Sequence, residues 1–345
     1  MPVLTVAILG ALIGIPLGYA MQRTHLCFNT AYRTALLQKD FTLVRMIALA
    51  VLIQMAGLYL LAQFSIGGVS VNVVPFYWIA TIVGAFVFGV SITFAEGCSG
   101  TVWYRVGNGN LGALVTLMGF AVGEWAMTKW NLLGSLRGME ITLPSGGPAT
   151  VPNFLGLSPW VVVAPIALIG LFGLWHRRDA PAGRLYSGYL GGWNWRKGGI
   201  VLGIIGTAAW LAAWPTGWHY GIGVVGATGP WVRALVEGPS VLNWGSFMIA
   251  ATPIGAVVAA LRHGEFKWQV PNLSSTARMT LAGVIMGLSA TFAGGCNIGH
   301  GFSGLPTLAL SSITATLFTF LGAALGIYWR FVRPQPVKFY SNISP

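Results

Sequence analysis

Three cysteines lie in strings whose residue types suit reversible binding of a small anion. The strings read LCFNTAYR around Cys27, FAEGCSG around Cys98 and FAGGCNIGHG around Cys296. A thiol is a weak hydrogen-bond donor with a soft, polarizable sulfur atom. Because three is an odd number, a complete disulfide framework is excluded. We therefore interpret the cysteines as free thiols, with a small buried hydrophobe as the alternative role for each.

Hydroxyl, amide, imidazole and guanidinium groups accompany the cysteines. These candidate anion contacts are Ser99, Asn297, His300, Asn29, Arg23 and Arg33. No carboxylate directly follows Cys98 or Cys296, which favours an anion as the ligand. Glu96 would repel an anion, so we expect it to pair with Arg105, or with an arginine of the first re-entrant segment, and to fix its loop, with proton coupling as the alternative. For His300 the alternative is a hydrogen-bonded spacer.

The string around Cys98 is repeated in the second half of the chain. Residues 89–98 read GVSITFAEGC and residues 287–296 read GLSATFAGGC, with seven identities in ten positions. The same offset of 198 residues relates the apolar stretches before and after each string. Small residues alone would indicate close helix packing. Small residues do not account for the cysteine that follows glycine at the end of each repeated string, so we predict that the repeat is functional.

The composition requires that these strings sit in a membrane. Of the 345 residues, 55% are hydrophobic and only 8% are charged, and the mean hydropathy is +0.72. Soluble domains carry about a quarter charged residues. The 48 glycines follow no Gly-X-Y period, so a collagen-like chain is excluded. A nucleic-acid partner is excluded as well, because the chain has little solvated surface for a basic patch.

Nine apolar stretches reach roughly the 20 residues that a helix needs to cross the hydrocarbon core. They lie at about 3–21, 43–64, 76–95, 111–130, 159–175, 198–214, 242–261, 277–294 and 307–330. The first lacks a basic leader and is interpreted as a retained span. Segments 22–38, 97–108 and 295–306 are too short or too rich in Gly and Asn to span, and 216–237 is interrupted by Gly and Pro. Such pieces are tolerated in a membrane only inside protein or against a water-filled cavity.

The basic residues predict the orientation. Sixteen of the nineteen Lys and Arg residues fall on alternate loops, and the exceptions are Lys129, Arg137 and Arg233. Because basic residues collect in cytoplasmic loops, the N-terminus is predicted outside and the C-terminus in the cytoplasm. The net charge of +12 is then mostly an orientation signal. It says little about the ligand.

The span order predicts an inverted repeat. We expect an all-α integral membrane protein with one domain, 1–345, made of a first repeat at 1–135, a linker with one span at 136–197 and a second repeat at 198–345. Four spans, one linking span and four more spans invert the second half relative to the first. Inverted repeats place a substrate site near the bilayer midplane, between the halves. Unpaired N–H groups at half-helix starts there would attract an anion.

The three cysteine strings, the duplicated Gly-Cys sequence and the span count resemble the YeeE/YedE family of bacterial sulfur-transport membrane proteins. The resemblance covers essentially the whole chain. It implies thiosulfate uptake across the bacterial inner membrane along a central path lined by Cys27, Cys98 and Cys296, in series and without a cofactor. Relatives act with small sulfur-carrier proteins, which implies such a partner on the cytoplasmic side. The wider family is also linked to selenium, so a selenium species or another small anion stays an alternative.

Other classes of protein fit less well. A zinc site would need three distant cysteines to converge with His25 or His300, because none has paired C-x-x-C spacing. A membrane thiol enzyme handling sulfur transfer is physically allowed, although the chain has no resolving C-x-x-C and no cofactor motif. A channel for neutral solutes does not fit the loops, which are rich in hydrogen-bond donors. ATP hydrolysis is not expected either, because the sequence has no phosphate-binding Gly-x-x-x-x-Gly-Lys string. We therefore predict a transporter rather than an enzyme, with no metal.

Overall fold

The computed structural model describes residues 2–95, 97–131, 134, 139–143, 147–176 and 192–333, and within them the regular elements are helices. Glu96, at the predicted loop-fixing position, lies outside the described residues. The helices used below are α1 Val3–Thr24, α2 Phe28–Gln38, α3 Thr42–Gln63, α4 Trp78–Phe94, α5 Ser99–Gly107, α6 Leu111–Trp130, α7 Val151–Leu155, α8 Pro159–His176, α9 Trp195–Ala213, α10 Gly229–Glu237, α11 Trp244–Arg262, α12 Leu273–Ala293, α13 Asn297–Gly304 and α14 Leu310–Ile327.

The chain is an all-α integral membrane protein. Within the described residues, eight helical stretches are long and apolar enough to cross a membrane. They coincide with eight of the nine predicted spans. The remaining one, α8, has a shorter apolar stretch at Pro159–Leu174, so the count of nine stays a prediction. Large apolar side chains such as Leu168, Ile169 and Phe172 are exposed on α8, as expected for a surface that faces lipid.

Two of the predicted interruptions divide a membrane-length segment into two helices. α4 ends at Phe94 and α5 begins at Ser99, while α12 ends at Ala293 and α13 begins at Asn297. Gly294 has φ +83°, the left-handed conformation that ends helices and that glycine adopts without a Cβ penalty. α13 is a π-helix, a wide form that is frequent at functional sites. The weakly helical segment 216–237 contains the short helix α10.

Glycines set the pairing of the long helices. A Cβ placed on Gly10 would meet Trp244 and Met248, and one on Gly18 would overlap the carbonyl oxygen of Thr252. α1 and α11 are therefore parallel and in close backbone contact. α3 and α9 are parallel too, since a Cβ on Gly199 would meet Leu49.

The same arrangement recurs around the repeated strings. α4 runs parallel to α14, because a Cβ on Gly89 would overlap the carbonyl oxygen of Thr319 and one on Gly326 would meet Thr93. α6 runs parallel to α12, and a Cβ on Gly119 of α6 would overlap the carbonyl oxygen of Thr280 of α12. These pairings build a continuous core in which Phe88, Phe120 and Met286 are fully buried.

Each helix from α1 to α6 has a counterpart about 198 residues later, namely α9 for α1, α10 for α2, α11 for α3, α12 for α4, α13 for α5 and α14 for α6. Two of these pairs, α1 with α9 and α4 with α12, meet with the start of one helix near the end of the other. A Cβ on Gly198, near the start of α9, would meet Thr24 at the end of α1. Likewise Ala80, near the start of α4, packs with Phe292 at the end of α12. Residues 135 and 136, at the predicted repeat boundary, and 177–191 of the predicted linker lie outside the described residues.

Candidate functional site

Two of the cysteine strings meet at the break between α4 and α5. The buried Cys27 precedes α2, and its Sγ accepts a hydrogen bond from the backbone N–H of Thr30 at 3.4 Å. Cys98 precedes α5, with its Sγ 3.1 Å from Thr101 Oγ1. The Thr101 hydroxyl in turn donates to the carbonyl of Leu26 at 3.3 Å. Thr101 thus joins the Cys98 string to the residue before Cys27.

The third cysteine string lies across from the Cys98 string, at the start of α13. The buried Cys296 precedes α13, as Cys98 precedes α5. A Cβ on Gly100 would lie 2.5 Å from Ile298 Cγ1, so the first turns of α5 and α13 are in direct contact. The initial N–H groups of a helix have no partner within the helix and carry the positive end of its dipole. Two such ends near each other make a suitable environment for an anion.

The residue after each of these cysteines is polar, buried and without a partner. Ser99 is 0% exposed and Asn297 is 3% exposed. Neither Oγ of Ser99 nor Oδ1 and Nδ2 of Asn297 has a hydrogen-bond partner among the described residues. Leaving a buried polar group unsatisfied costs about 1–3 kcal/mol. These two groups, at equivalent positions of the two strings, are able to bond a ligand.

His300 is already bonded within the protein. Its Nε2 lies 3.2 Å from the carbonyl oxygen of Ala293 and its Nδ1 lies 3.1 Å from Ser312 Oγ. With Nε2–H donating to the carbonyl, Nδ1 accepts from the serine hydroxyl, so the ring joins the end of α12 to α14. This geometry favours the hydrogen-bonded spacer over the predicted anion contact.

Asn29 and Arg23 also have protein partners. Asn29 Nδ2 donates to the carbonyl of Ile92 at 3.1 Å, which holds the start of α2 against the end of α4. Arg23 is fully buried, and its Nη1 donates to both carboxylate oxygens of Glu265 at 2.9 Å. The same carboxylate accepts from Gln22 Nε2. Both predicted anion contacts therefore have structural partners in this conformation.

Arg33 and Arg105 line a polar cavity of about 380 Å³, here called the basic vestibule. Its lining residues are Gln22, His25, Thr30, Arg33, Thr34, Asp40, Leu43, Tyr104, Arg105, Asn108, Asn110, Glu265 and Gln269. The predicted partner of Arg105, Glu96, is outside the described residues, so that pairing stays a prediction.

A second cavity, of about 310 Å³, is here called the neutral vestibule. It is lined by Asn72, Val74, Gly217, Trp218, His219, Tyr220, Gly223, Val224, Val225, Gly294, Gly295 and Gly299. Gln269 of the basic vestibule precedes α12, and Gly294 of the neutral vestibule follows it. Because α12 is long enough to cross a membrane, the two vestibules lie toward opposite ends of the molecule. A third cavity, of about 20 Å³, has an apolar lining that includes Leu26, Gly100 and Ile298.

The sequence analysis did not identify Thr101 and Glu265 as residues of this region. Thr101 had a local signal, a hydroxyl three residues after Cys98 at a helix start. Glu124 is a further polar residue near this region. It is buried in α6, and its Oε1 accepts from the backbone N–H of Gly226 at 2.7 Å. Glu265 had no signal, because its partner Arg23 is 242 residues away.

The described residues contain no group of three or more His, Cys, Asp or Glu side chains placed to hold a metal ion. The candidate site combines three thiols, two helix starts and two polar side chains that lack a hydrogen-bond partner among the described residues. This inventory suits reversible contact with an anion.

Comparison with known proteins agrees with the resemblance in the cysteine strings. Residues 23–325 match the sulphur transport family. The thiosulfate transporter TsuA of Spirochaeta thermophila is 34% identical over 329 residues, which cover 91% of this chain and 96% of that protein. The thiosulfate transporter TsuA of Escherichia coli K12 is 27% identical over 338 residues, covering 94% and 95%. This multi-pass membrane protein belongs to the sulphur transport family, the family of transporters that its cysteine strings resemble.

Proposed function

We propose that this protein carries thiosulfate across the membrane, along a path between α5 and α13. The observation that carries the proposal is the pair of buried side chains Ser99 and Asn297, which have no hydrogen-bond partner among the described residues; each lies beside a cysteine, in a different half of the chain. Membership of the sulphur transport family supports transport rather than an enzymatic reaction. Two relatives named as thiosulfate transporters support the choice of anion.

The two halves form an inverted repeat in this proposal. Counterpart helices run in opposite directions, as the contact of Thr24 with Gly198 and that of Ala80 with Phe292 indicate. An inverted repeat places the substrate at the interface between halves, near the midplane. The contact between Gly100 and Ile298 lies at this interface, next to Cys98 and Cys296.

The chemistry of thiosulfate matches the groups at the interface. Its oxygen atoms accept hydrogen bonds from the first N–H groups of α5 and α13, from the Ser99 hydroxyl and from the Asn297 amide. Its terminal sulfur is soft, and the thiols of Cys98 and Cys296 are weak donors to it. Cys27 is an additional station on the α2 side. Weak contacts in series allow the anion to enter and also to leave.

The conformation described is closed to passage of an anion. All three cysteines are buried, and the first turns of α5 and α13 touch through Gly100 and Ile298. Transport therefore requires this contact to separate. Movement of the two halves relative to each other is the usual way in which inverted repeats alternate access.

The orientation follows from the basic loops. In the proposed orientation, the protein spans the bacterial inner membrane with its N-terminus outside and its C-terminus in the cytoplasm. This places the basic vestibule at the cytoplasmic end, where a small sulfur-carrier protein would receive the substrate.

Uptake of radiolabelled thiosulfate into proteoliposomes tests the proposed function. We expect uptake of unmodified thiosulfate that selenate, selenite and sulfate compete with only weakly. Replacing Cys98 or Cys296 by alanine should abolish uptake while the purified protein keeps its thermal unfolding temperature. Intact uptake in both variants would contradict the cysteine path, and recovery of a converted sulfur species inside the vesicles would identify a thiol enzyme instead.

A matched pair of hydroxyl deletions separates binding from packing. Ser99→Ala removes the unsatisfied hydroxyl beside Cys98, and we expect thiosulfate uptake to fall about tenfold. Thr81→Val is the control, because Thr81 is also buried with an unsatisfied hydroxyl but lies in α4. It should leave uptake unchanged. Equal effects of the two substitutions would contradict the role of Ser99.

A further inference from the structure

An apolar groove opens between α3 and α8, and it shares no lining residue with either vestibule. Its volume is about 720 Å³. We propose that this groove is a lipid-binding site, which holds one acyl chain of an anionic phospholipid with the headgroup at Arg45. This inference goes beyond the proposed function, and binding of the lipid does not depend on that function.

The groove exists because α8 packs closely against α3 along only part of its length. Near the start of α8, the ring centroids of Trp160 and Tyr59 are 6.4 Å apart. Further along α8, a Cβ on Gly170 would lie 2.7 Å from Leu52 Cδ1. Beyond that contact, a Cβ on Gly173 would meet nothing within 4 Å. The two helices therefore separate toward the end of α8, and the groove is the space between them.

The groove has the length of one lipid leaflet. On α3 its lining extends from Arg45 to Met55, which is about 15 Å along the helix axis. On α8 its lining extends from Leu174 back to Ile166, which is about 12 Å. The hydrocarbon core of a bilayer is about 30 Å thick, so one leaflet contributes about 15 Å. The groove therefore reaches from the membrane surface at the start of α3 to the midplane, as an extended acyl chain does.

The lining of the groove suits hydrocarbon. Apart from Arg45, its polar members are Tyr32 and Thr316, and the remaining side chains are apolar. Apolar cavities do not hold water, and an empty groove would deprive its lining of packing contacts. Ile169 and Ile313 of the lining are exposed on the protein surface. Because acyl chains are the molecules that reach this surface in a membrane, an acyl chain is the occupant that fits.

Arg45 makes the groove selective for an anionic lipid. Arg45 is the one charged residue of the described lining, and its guanidinium has no hydrogen-bond or ion-pair partner among the residues that the structure describes. The side chain is half-buried in the first turn of α3, so its apolar stem follows the groove while its charge stays at the membrane surface. Guanidinium groups bind phosphate, and basic pockets between membrane helices bind anionic headgroups. In the proposed orientation this surface is the cytoplasmic leaflet.

The inner wall of the groove belongs to the helix that follows Cys27. Phe28 and Tyr32 of α2 line the groove, and their ring centroids are 6.2 Å apart. Phe28 also contacts the helix that follows Cys296, since a Cβ on Gly301 of α13 would lie 3.0 Å from Phe28 Cε1. A bound acyl chain therefore stabilises the contact of α2 with α13. Through this contact the lipid should affect uptake.

Native mass spectrometry of the purified protein tests the lipid site without requiring transport. The probes are phosphatidylglycerol and phosphatidylcholine with the same acyl chains. We expect one phosphatidylglycerol to bind about tenfold more tightly than one phosphatidylcholine, because only the former leaves a net negative charge at Arg45. Arg45→Gln should remove this preference. Arg262→Gln is the control and should keep it, because Arg262 is exposed at the end of α11 and lies outside the groove.

A second pair of variants tests the position of the acyl chain. Gly173→Trp places an indole ring in the open space of the groove and should remove the tight binding of phosphatidylglycerol. Leu168→Trp is the matched control, because Leu168 is exposed on α8 and does not line the groove. Phosphatidylglycerol should also raise the thermal unfolding temperature of the parent and of Leu168→Trp, but not that of Gly173→Trp. Gly173→Leu, a smaller filling, carries the test where Gly173→Trp does not fold.

Two results would overturn the lipid site. The first is equal binding of the two lipids by the parent protein, or a preference that survives both Arg45→Gln and Gly173→Trp. The second is a dimer that Gly173→Trp disrupts while no lipid preference is found, which would assign the groove to a second copy of the chain.

Thiosulfate uptake into vesicles tests the effect on α2. The parent protein should transport several times faster with phosphatidylglycerol present than with phosphatidylcholine alone, and Arg45→Gln should lose the difference. Equal uptake in both vesicles with tight lipid binding retained would overturn the stabilisation of α2 by the acyl chain. Absence of uptake in every vesicle with lipid binding retained would overturn the transport proposal and leave the lipid site standing.

Discussion

The two Gly-Cys strings share seven of ten residues, yet the structure gives them different surroundings. After Cys98 the chain forms the regular helix α5, and Thr101 links that cysteine to the segment of Cys27. After Cys296 the chain forms the wide π-helix α13, which His300 joins to neighbouring helices. The shared residues therefore break and pack the helices, while the unshared ones make the two sides of the path unlike.

Two glycines that the strings share pack in the same way in both halves of the chain. A Cβ on Gly89 would overlap the carbonyl oxygen of Thr319, and one on Gly287 would overlap that of Phe120. In each half, the helix before the cysteine thus touches the backbone of a partner helix. Outside the strings the two cavities differ, because the lining of the basic vestibule includes Arg33 and Arg105 whereas that of the neutral vestibule includes no arginine.

The largest expected effect concerns the ion pair of the buried Arg23 with Glu265, at the basic end. Glu265→Gln leaves the fully buried Arg23 without its carboxylate. Removing one partner of a buried ion pair costs about 3 to 5 kcal/mol, so the free energy of unfolding should fall by that amount. Urea unfolding in detergent measures it. The exposed pair of Arg233 with Glu237 supplies the control, and an equal, small effect of Glu237→Gln and Glu265→Gln would remove the distinction between the two ends.

The next effect should be the same in both halves. Gly89→Ala and Gly287→Ala each place a methyl group against a partner backbone, which has little room to move. We expect each substitution to lower the free energy of unfolding by about 3 kcal/mol. Thermal unfolding of the two variants side by side is the measurement. Gly173→Ala, on α8 with open space around it, should have no such cost, and a large inequality between the first two would break the structural equivalence of the strings.

A smaller effect is expected where the strings touch. Gly100→Ala puts a Cβ 2.5 Å from Ile298 Cγ1, and overpacking of this kind costs about 2 kcal/mol. Thiosulfate uptake should fall with it, because α5 and α13 meet at the proposed path. Ile298→Ala in the same chain supplies room and should restore both unfolding temperature and uptake. A double variant as impaired as the single one would show that this contact does not limit passage.

The link between Cys98 and Cys27 should contribute less. Thr101→Val keeps the side-chain shape but removes the hydroxyl that bonds Cys98 Sγ and the Leu26 carbonyl. We expect a loss of about 1 kcal/mol in stability and a measurable drop in uptake from altered placement of the thiols. Thr34→Val is matched to it, since the Thr34 hydroxyl donates only to Ala31 within its own helix. Uptake that falls equally in both variants would contradict a specific role for Thr101.

The smallest effect is expected for Arg233, which lies on α10, the helix that corresponds to α2. Arg233 lies on α10, exposed, with its Nη2 2.6 Å from Glu237 Oε2. This guanidinium holds the pKa of the Glu237 carboxyl below its usual value. The stabilisation is present at neutral pH and is lost as the pH falls through the lowered pKa. Arg233→Gln should raise that pKa in a ¹³C NMR titration and leave uptake unchanged, because this exposed pair lies outside the proposed path; a loss of uptake would contradict that separation.

The sequence by itself determined the membrane class and the breaks in the helices, and it predicts the repeat. Runs of apolar residues must cross a bilayer, and Gly beside Cys ends a helix because the left-handed residue Gly294 needs no Cβ. These features depend on composition and local spacing, which a single chain displays. The bounds of α2, α5 and α13 accordingly match the predicted short segments.

Only the tertiary structure decided which polar groups are available to a ligand. Arg23 and His300 were candidates by residue type, but Glu265 and Ser312 occupy them, whereas Ser99 and Asn297 have no partner among the described residues. The partner of a buried side chain depends on which distant helices pack together. That choice follows from contacts between segments up to 243 residues apart, such as Gln22 with Glu265, and is not encoded in the spacing of neighbours along the chain.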